Sequence, residues 1–211
     1  MDYAGKSFPV RLNSIFGANN VYSALAALAV GVSQGINVVA ITEALTKFTP
    51  PPGRLHILPG IKQSVIIDDT YNASPTAMRL ALESLKAVEV SGRRIAVLAD
   101  MLELGKLTVE AHEEMGALAA SVCDMLVVVG QRAIFIADGA KAAGMAEDRI
   151  LQFNDSREAG KMLDTMIKKG DIVLVKGSQM MRMERCVEEI MLHPEDKERL
   201  LVRQDQEWML R

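Results

Sequence analysis

Apolar runs of strand length recur from residue 64 onward, and each is followed by a segment whose apolar positions fall three and four residues apart. Runs apolar at every position predict strands covered on both faces, and the wider spacing predicts amphipathic helices. The strands fall at 64–69 (SVIIDD), 94–100 (RIAVLAD), 125–130 (MLVVVG), 149–153 (RILQF) and 171–177 (DIVLVKG). A helix is predicted over 74–89, with Ser74 as N-cap, Pro75 in its first turn, and Ala77, Leu80, Ala81, Leu85 and Val88 on one face. Further helices are predicted over 108–122 with Thr108 as N-cap, 132–144 ended by Gly144, 156–170 ending on lysines and glycine, and 180–192. Strands alternating with helices require right-handed crossovers and a mostly parallel sheet with helices on both faces. The fold class is therefore α/β, a Rossmann-like domain over about 62–193.

The first residues follow another pattern. Residues 8–13 (FPVRLN) alternate like a strand, and 18–35 and 38–48 read as small-residue helices. The run TPPPG at 49–53 stops helix and marks a boundary. Residues 1–50 thus read as the mainly helical end of another domain and 51–61 as a linker. Residues 194–211 form a charged tail, a surface helix or partly disordered, in which Trp208 packs.

Composition narrows the function. The 211 residues carry a formal net charge of −3, which supplies no basic face for nucleic acid or an anionic membrane. Cys123 and Cys186 share no metal-ligand spacing, as expected of a reduced, cytoplasmic setting. No leader is visible at the start, and the apolar stretch ALAALAVGVSQG is too short to span a membrane.

Ligands of open parallel sheets bind beyond the carboxyl ends of the strands. Those ends carry Asp68, Asp69, Thr70, Tyr71 and Asn72; then Asp100 and Glu103; Gly130-Gln131; Asn154-Asp155; and Lys176, Gly177 and Ser178. The acid pair solvates a strand end or, equally, binds ribose hydroxyls or a metal. Successive strand residues point to opposite faces, so the two acids diverge. Tyr71 offers a stacking surface and Asn72 an amide that both donates and accepts. Lys176, after four apolar residues, either snorkels or meets an anion, with Gly177 and Ser178 leading into a helix N-terminus. Arg182 reaches toward the same rim and Arg185 stays at the surface. Arg54, after the prolines, is a hinge residue or a phosphate contact between domains. His56 and His112 lack partner histidines at ligand spacing, and no metal site is expected. AGKS at 4–7 lacks the upstream glycine of a phosphate loop, and no G-x-G-x-x-G follows the first strand.

Several of these segments, taken in order, resemble the C-terminal region of the Mur ligases. GANNVYSALAALAVG (17–31) is similar to the family's Gly-x-His-Asn-x-x-Asn-Ala-x-Ala-Ala helix, PGRLHI (52–57) to its inter-domain Gly-Arg segment, and IIDDTYNASPTAM (66–78) to its Asp-Asp-Ser-Tyr-Asn-Ala-Asn-Pro signature. AVLADMLELG (96–105) resembles Gly-Asp-Met-x-Glu-Leu-Gly, and VLVKGSQMMRMERCVEEI (173–190) resembles Lys-Gly-Ser-x-x-Met-x-Met-Glu. Asn19, Ser23, Ser74 and Ala99 stand where the family pattern has His, Asn, Asn and Gly.

The resemblance implies an ATP-dependent amide ligase of peptidoglycan synthesis, nearest the branch that adds D-alanyl-D-alanine to UDP-N-acetylmuramoyl-tripeptide through an acyl phosphate. It implies that 1–50 ends a central ATPase domain, and that ATP and magnesium are held mainly by the part of that domain this sequence lacks. It places Asn20, Arg54 and Asp69 on the nucleotide, and Tyr71, Asn72, Lys176 and Ser178 on the acceptor. The expected partners are UDP-muramoyl-peptide, D-alanyl-D-alanine and the N-terminal and central domains in trans; the chain alone is expected to be inactive. Other readings are a non-catalytic nucleotide- or partner-binding module and a phosphoacceptor receiver, although the latter needs an aspartate after the third strand, where Gly130 stands.

Overall fold

The structure, a computed structural model, describes residues 1–13, 16–17 and 20–210; Asn19 lies outside the described residues. A small hairpin, β1 (Asp2–Tyr3) and β2 (Lys6–Ser7), precedes α1 (Asn20–Ser33) and α2 (Val38–Thr46). Then follow β3 (His56–Pro59), β4 (Val65–Asp69), α3 (Pro75–Lys86), β5 (Arg94–Ala99), α4 (Thr108–Val122), β6 (Met125–Val129), α5 (Ile134–Ala142) and β7 (Ile150–Phe153). The chain closes with α6 (Ser156–Met166), β8 (Ile172–Lys176), α7 (Glu184–Ile190), α8 (Lys197–Leu200) and α9 (Gln206–Met209).

The six-stranded sheet runs β3-β4-β8-β5-β6-β7, parallel throughout except for the antiparallel edge pair β3–β4. Each central strand feeds two cores, as the double-sided apolar runs predict. In β5, Ala96 and Leu98 pack with Met78, Leu82, Met115 and Ile136 of α3, α4 and α5. Ile95 and Val97 pack on the other face with Leu163, Val187 and Ile190 of α6 and α7. The chain lays down β4, β5, β6 and β7, then returns through α6 to insert β8 between β4 and β5. That return brings Lys176 into register with Asp69 on one side and Leu98 on the other.

The structure departs from the sequence pattern at several ends. No strand forms over 8–13 among its described residues; Pro9 has no N–H to donate, and no neighbouring strand is there to pair with it. His56–Pro59, inside the stretch read as linker, pairs with β4 as the sheet's edge. Thr108 lies inside α4 rather than capping it, its hydroxyl turned back to the Gly105 carbonyl (2.8 Å). α6 ends at Met166, because the Lys168 N–H goes instead to the Asp171 carboxylate (2.9 Å). α7 begins at Glu184, since Arg182 adopts a left-handed φ of 51° after one 3-10 turn. Ser74 caps α3 as predicted, accepting from the Ala77 N–H, but Met78, Ala81, Leu82 and Leu85 are the residues that enter the core. Ala77 and Leu80 are left to line a cavity. Among the described residues no helix is long and apolar enough to cross a membrane.

Candidate functional site

Strand β4 ends on two acids with different work. Asp68 is fully buried. Its carboxylate accepts from the Gly53 N–H (3.0 Å), the Thr70 N–H (3.2 Å) and the Thr70 hydroxyl (2.6 Å). It therefore ties the segment after the proline run to the strand end. Gly53 is needed there: its φ is +68°, and a Cβ would lie 2.8 Å from the Tyr71 nitrogen. Burial pushes the Asp68 carboxyl up to about 6, against the hydrogen bonds from Thr70 and Gly53.

That raised value sets a pH dependence. The folded state holds the Asp68 proton more tightly than the unfolded chain does, so this contribution is complete below about 3.8 and is lost as pH rises through about 6. At 1.36 kcal/mol per pH unit the loss is about 3 kcal/mol. Asp68→Asn should thus gain stability relative to wild type by up to that amount between pH 4 and pH 7. Urea midpoints for both proteins across that range check it; a pH-independent gap would show that Asp68 does not titrate there.

Asp69 turns to the other side. It accepts from the Leu55 N–H through Oδ1 (3.2 Å) and pairs with Lys176 Nζ through Oδ2 (2.6 Å). Lys176, almost fully buried, also donates to the Asn72 carbonyl (2.9 Å). A lysine has three donors, so one remains for a ligand. Asn20, Arg54, Asp69 and Lys176 line one cavity of about 300 Å³, with Thr76 and Ala77 of the first turn of α3. Two cations and a helix N-terminus in one concavity suit an anion, while the remaining lone pairs of Asp69 suit hydroxyls. Arg54 stacks on Tyr71, its guanidinium carbon 4.0 Å from the ring centroid.

A second cavity, about 560 Å³, adjoins the first at Ser74. Asn72 and Ser178 line it with Glu103, Leu104, Met180 and Trp208. Its charged lining residue is an acid, which disfavours phosphate there. Ser178 joins two strand ends: its N–H donates to the Asp100 carbonyl (3.0 Å) and its hydroxyl accepts from the Leu102 N–H (2.8 Å). The sequence-selected residues therefore divide. Lys176 stands with the nucleotide set, Asn72 and Ser178 stand together, and Tyr71 lines neither cavity but supports Arg54.

Other candidates are occupied structurally. Asp100 accepts from the Arg132 and Ala133 N–H groups (2.9 and 2.7 Å), holding the entry to α5. His112 is fully buried; its Nε2 accepts from the Met101 N–H (3.0 Å) and its Nδ1 donates to the Thr108 carbonyl (2.6 Å). Burial keeps this imidazole below its usual range, hence neutral. Arg182 lines neither cavity; it is buried against Glu184 (2.5 Å). Burial pushes the Cys123 and Cys186 thiols up to about 12, so neither is poised as a nucleophile. Among the described residues no three His, Cys, Asp or Glu cluster as a metal site would need.

The family described as Mur ligase, glutamate ligase domain, matches residues 53–179. The UDP-N-acetylmuramoyl-tripeptide–D-alanyl-D-alanine ligase of Bacillus subtilis (strain 168) is 33% identical over 181 residues, 85% of this chain and 39% of that protein. The ligase of the same name from Escherichia coli (strain K12) is 32% identical over 174 residues, 81% of this chain and 36% of that protein. The chain thus spans less than two fifths to about two fifths of the length of these relatives. The MurF ligase of Thermotoga maritima, solved in complex with ADP, superposes with a TM-score of 0.71 at 31% identity, covering 86% of this chain and 40% of its own.

Proposed function

Because the chain belongs to the Mur ligase family, we propose that it serves as the nucleotide- and acceptor-contacting part of an ATP-dependent ligase joining D-alanyl-D-alanine to UDP-N-acetylmuramoyl-tripeptide. One observation carries the reading: a cation-lined cavity meets an uncharged-to-acidic one at Ser74. The first suits a nucleotide. Arg54 and the free Lys176 donor face its phosphates, Asp69 accepts from the ribose hydroxyls, and Asn20 lies toward the base. The second suits a short peptide, with Asn72 and Ser178 for its polar backbone and Glu103 for its ammonium. Lys176 bonds both Asp69 and the Asn72 carbonyl and so stands at the boundary.

The chemistry follows the family. A carboxylate oxygen of the tripeptide attacks the γ-phosphorus of ATP and ADP leaves. The dipeptide amine then attacks the acyl carbon, inorganic phosphate leaves, and the amine gives up a proton. Magnesium would neutralise phosphate charge when bound. The residues of this chain bind and orient, and closure over an acyl phosphate would exclude water.

The test is reconstitution. The chain is mixed with the N-terminal and central domains of the Bacillus subtilis relative, and phosphate release is followed. Release should require the chain, ATP, UDP-muramoyl-tripeptide and D-alanyl-D-alanine together, with none from the chain alone. ADP binding without dipeptide-dependent turnover would instead make it a non-catalytic nucleotide module.

A further inference from the structure

The charged C-terminal segment is tied to the end of β4 through Arg203. Arg203 is buried and donates through Nη1 to the Thr70 carbonyl (3.1 Å) and through Nη2 to the Thr70 (3.1 Å) and Tyr71 carbonyls. Its Nη1 also pairs with Glu184 Oε2 (2.8 Å), whose Oε1 pairs with Arg182 Nε (2.5 Å). Arg182 Nη1 in turn donates to the Trp208 carbonyl (2.7 Å). The two guanidinium carbons lie 5.4 and 5.5 Å from the Trp208 ring centroid, within cation–π range. Asp205 caps α9 by accepting from the Trp208 N–H (3.1 Å). A buried Arg–Glu–Arg row is costly to desolvate, so it holds only with well-formed partners. Here those partners are the backbone at the end of β4 and the backbone of the tail. The result places the indole in the lining of the second cavity, with Leu104 and Met180.

We propose that residues 203–209 are part of the acceptor site, with Trp208 a contact and selectivity surface for the incoming dipeptide. The inference rests on reading the second cavity as the acceptor site. A rigid indole face beside aliphatic side chains favours small apolar side chains on the ligand. Anionic or bulky side chains would lose their water there with no cation gained, since the charged lining residue is Glu103. The ligand class is a short peptide with a free amine and methyl-sized side chains.

Trp208 is the chain's one tryptophan, so its emission reports on this cavity alone. The full chain is titrated with D-alanyl-D-alanine and, separately, with ADP. Indole emission and saturation-transfer NMR from the ligand are followed together. The dipeptide should change the emission with the same midpoint that NMR gives, whereas ADP should bind and leave it unchanged. Trp208→Ala should weaken the dipeptide about tenfold, as truncating a buried aromatic contact does. It should also narrow the preference for D-alanyl-D-alanine over D-alanyl-D-glutamate and leave ADP binding in place; Trp208→Phe should restore most of the affinity. A dipeptide that NMR detects, with a silent indole and an unaffected Trp208→Ala, would overturn the inference and leave the acceptor reading standing. ADP binding with no dipeptide detected on wild type would remove the acceptor reading and the inference with it.

Discussion

Replacing Lys176 with alanine should lower the unfolding free energy by about 3–5 kcal/mol and weaken nucleotide binding by about tenfold or more. The stability term follows from burial. The Lys176 side chain is 2% exposed and that of Asp69 10%. Removing the ammonium leaves a carboxylate away from water with its Oδ2 unpaired, and breaking one side of a buried pair costs about that much. The affinity term follows from the donor left over after Asp69 and Asn72 are satisfied. A hydrogen bond to a charged group contributes about 1.5–3 kcal/mol, and each 1.4 kcal/mol is about tenfold in affinity.

A second variant separates the two effects. Lys176→Met with Asp69→Asn removes both charges and keeps an oxygen for the Leu55 N–H. Stability should return to within about 1–2 kcal/mol of wild type, because an ion pair exchanged for neutral groups of similar size is often nearly neutral. Nucleotide binding should not return, because the cavity then keeps neither the lysine donor nor the carboxylate acceptor. Chemical denaturation and ADP titration of the three proteins decide it. Full ADP affinity in the double variant would make the pair a structural tie only.

The same pair shows how far the sequence could be read. Val65–Asp69 and Ile172–Lys176 were legible because strands covered on both faces appear as unbroken apolar runs. Their polar ends were legible as candidates because such sheets place ligands at the strands' carboxyl ends. That Asp69 meets Lys176 was not legible: strand order is set by the return of the chain through α6, and spacing carries no trace of it. Thus Lys176 was placed apart from the residue it touches. Strand β3 was missed for a different reason. It is four residues long, follows a proline run and ends on a proline, and its antiparallel edge pairing shows no period in the sequence. The tail's tie to the sheet was not legible because Arg182, Glu184 and Arg203 are indistinguishable by type from solvated charges such as Arg199 and Asp196. The available signal was Leu200-Leu201-Val202 immediately before Arg203, of which Leu201 enters the core.

Glu184→Ala is expected to cost about 3–5 kcal/mol, the largest effect of any change in the tail network. Its side chain is 1% exposed and is the acceptor for both Arg182 and Arg203. Without it two guanidinium groups share a buried site with no carboxylate between them, and burial already holds Arg203 below its usual range. For a chain of this size each kcal/mol moves the midpoint by about 2–4 °C, so the melting temperature should fall by roughly 10 °C. Asp196→Ala is the control. Its partner Arg199 is 71% exposed, and exposed pairs contribute at most about 1 kcal/mol. Glu184→Gln should fall between, because it keeps an acceptor oxygen and loses the charge. Combining Glu184→Ala with Arg203→Leu should recover part of the loss by removing one of the stranded cations. A Glu184→Ala midpoint as close to wild type as that of Asp196→Ala would mean that the triad forms after the fold is already secure. The tail would then rest on Leu201 in the core, the Arg203 bonds to the Thr70 and Tyr71 carbonyls and the Trp208 contacts.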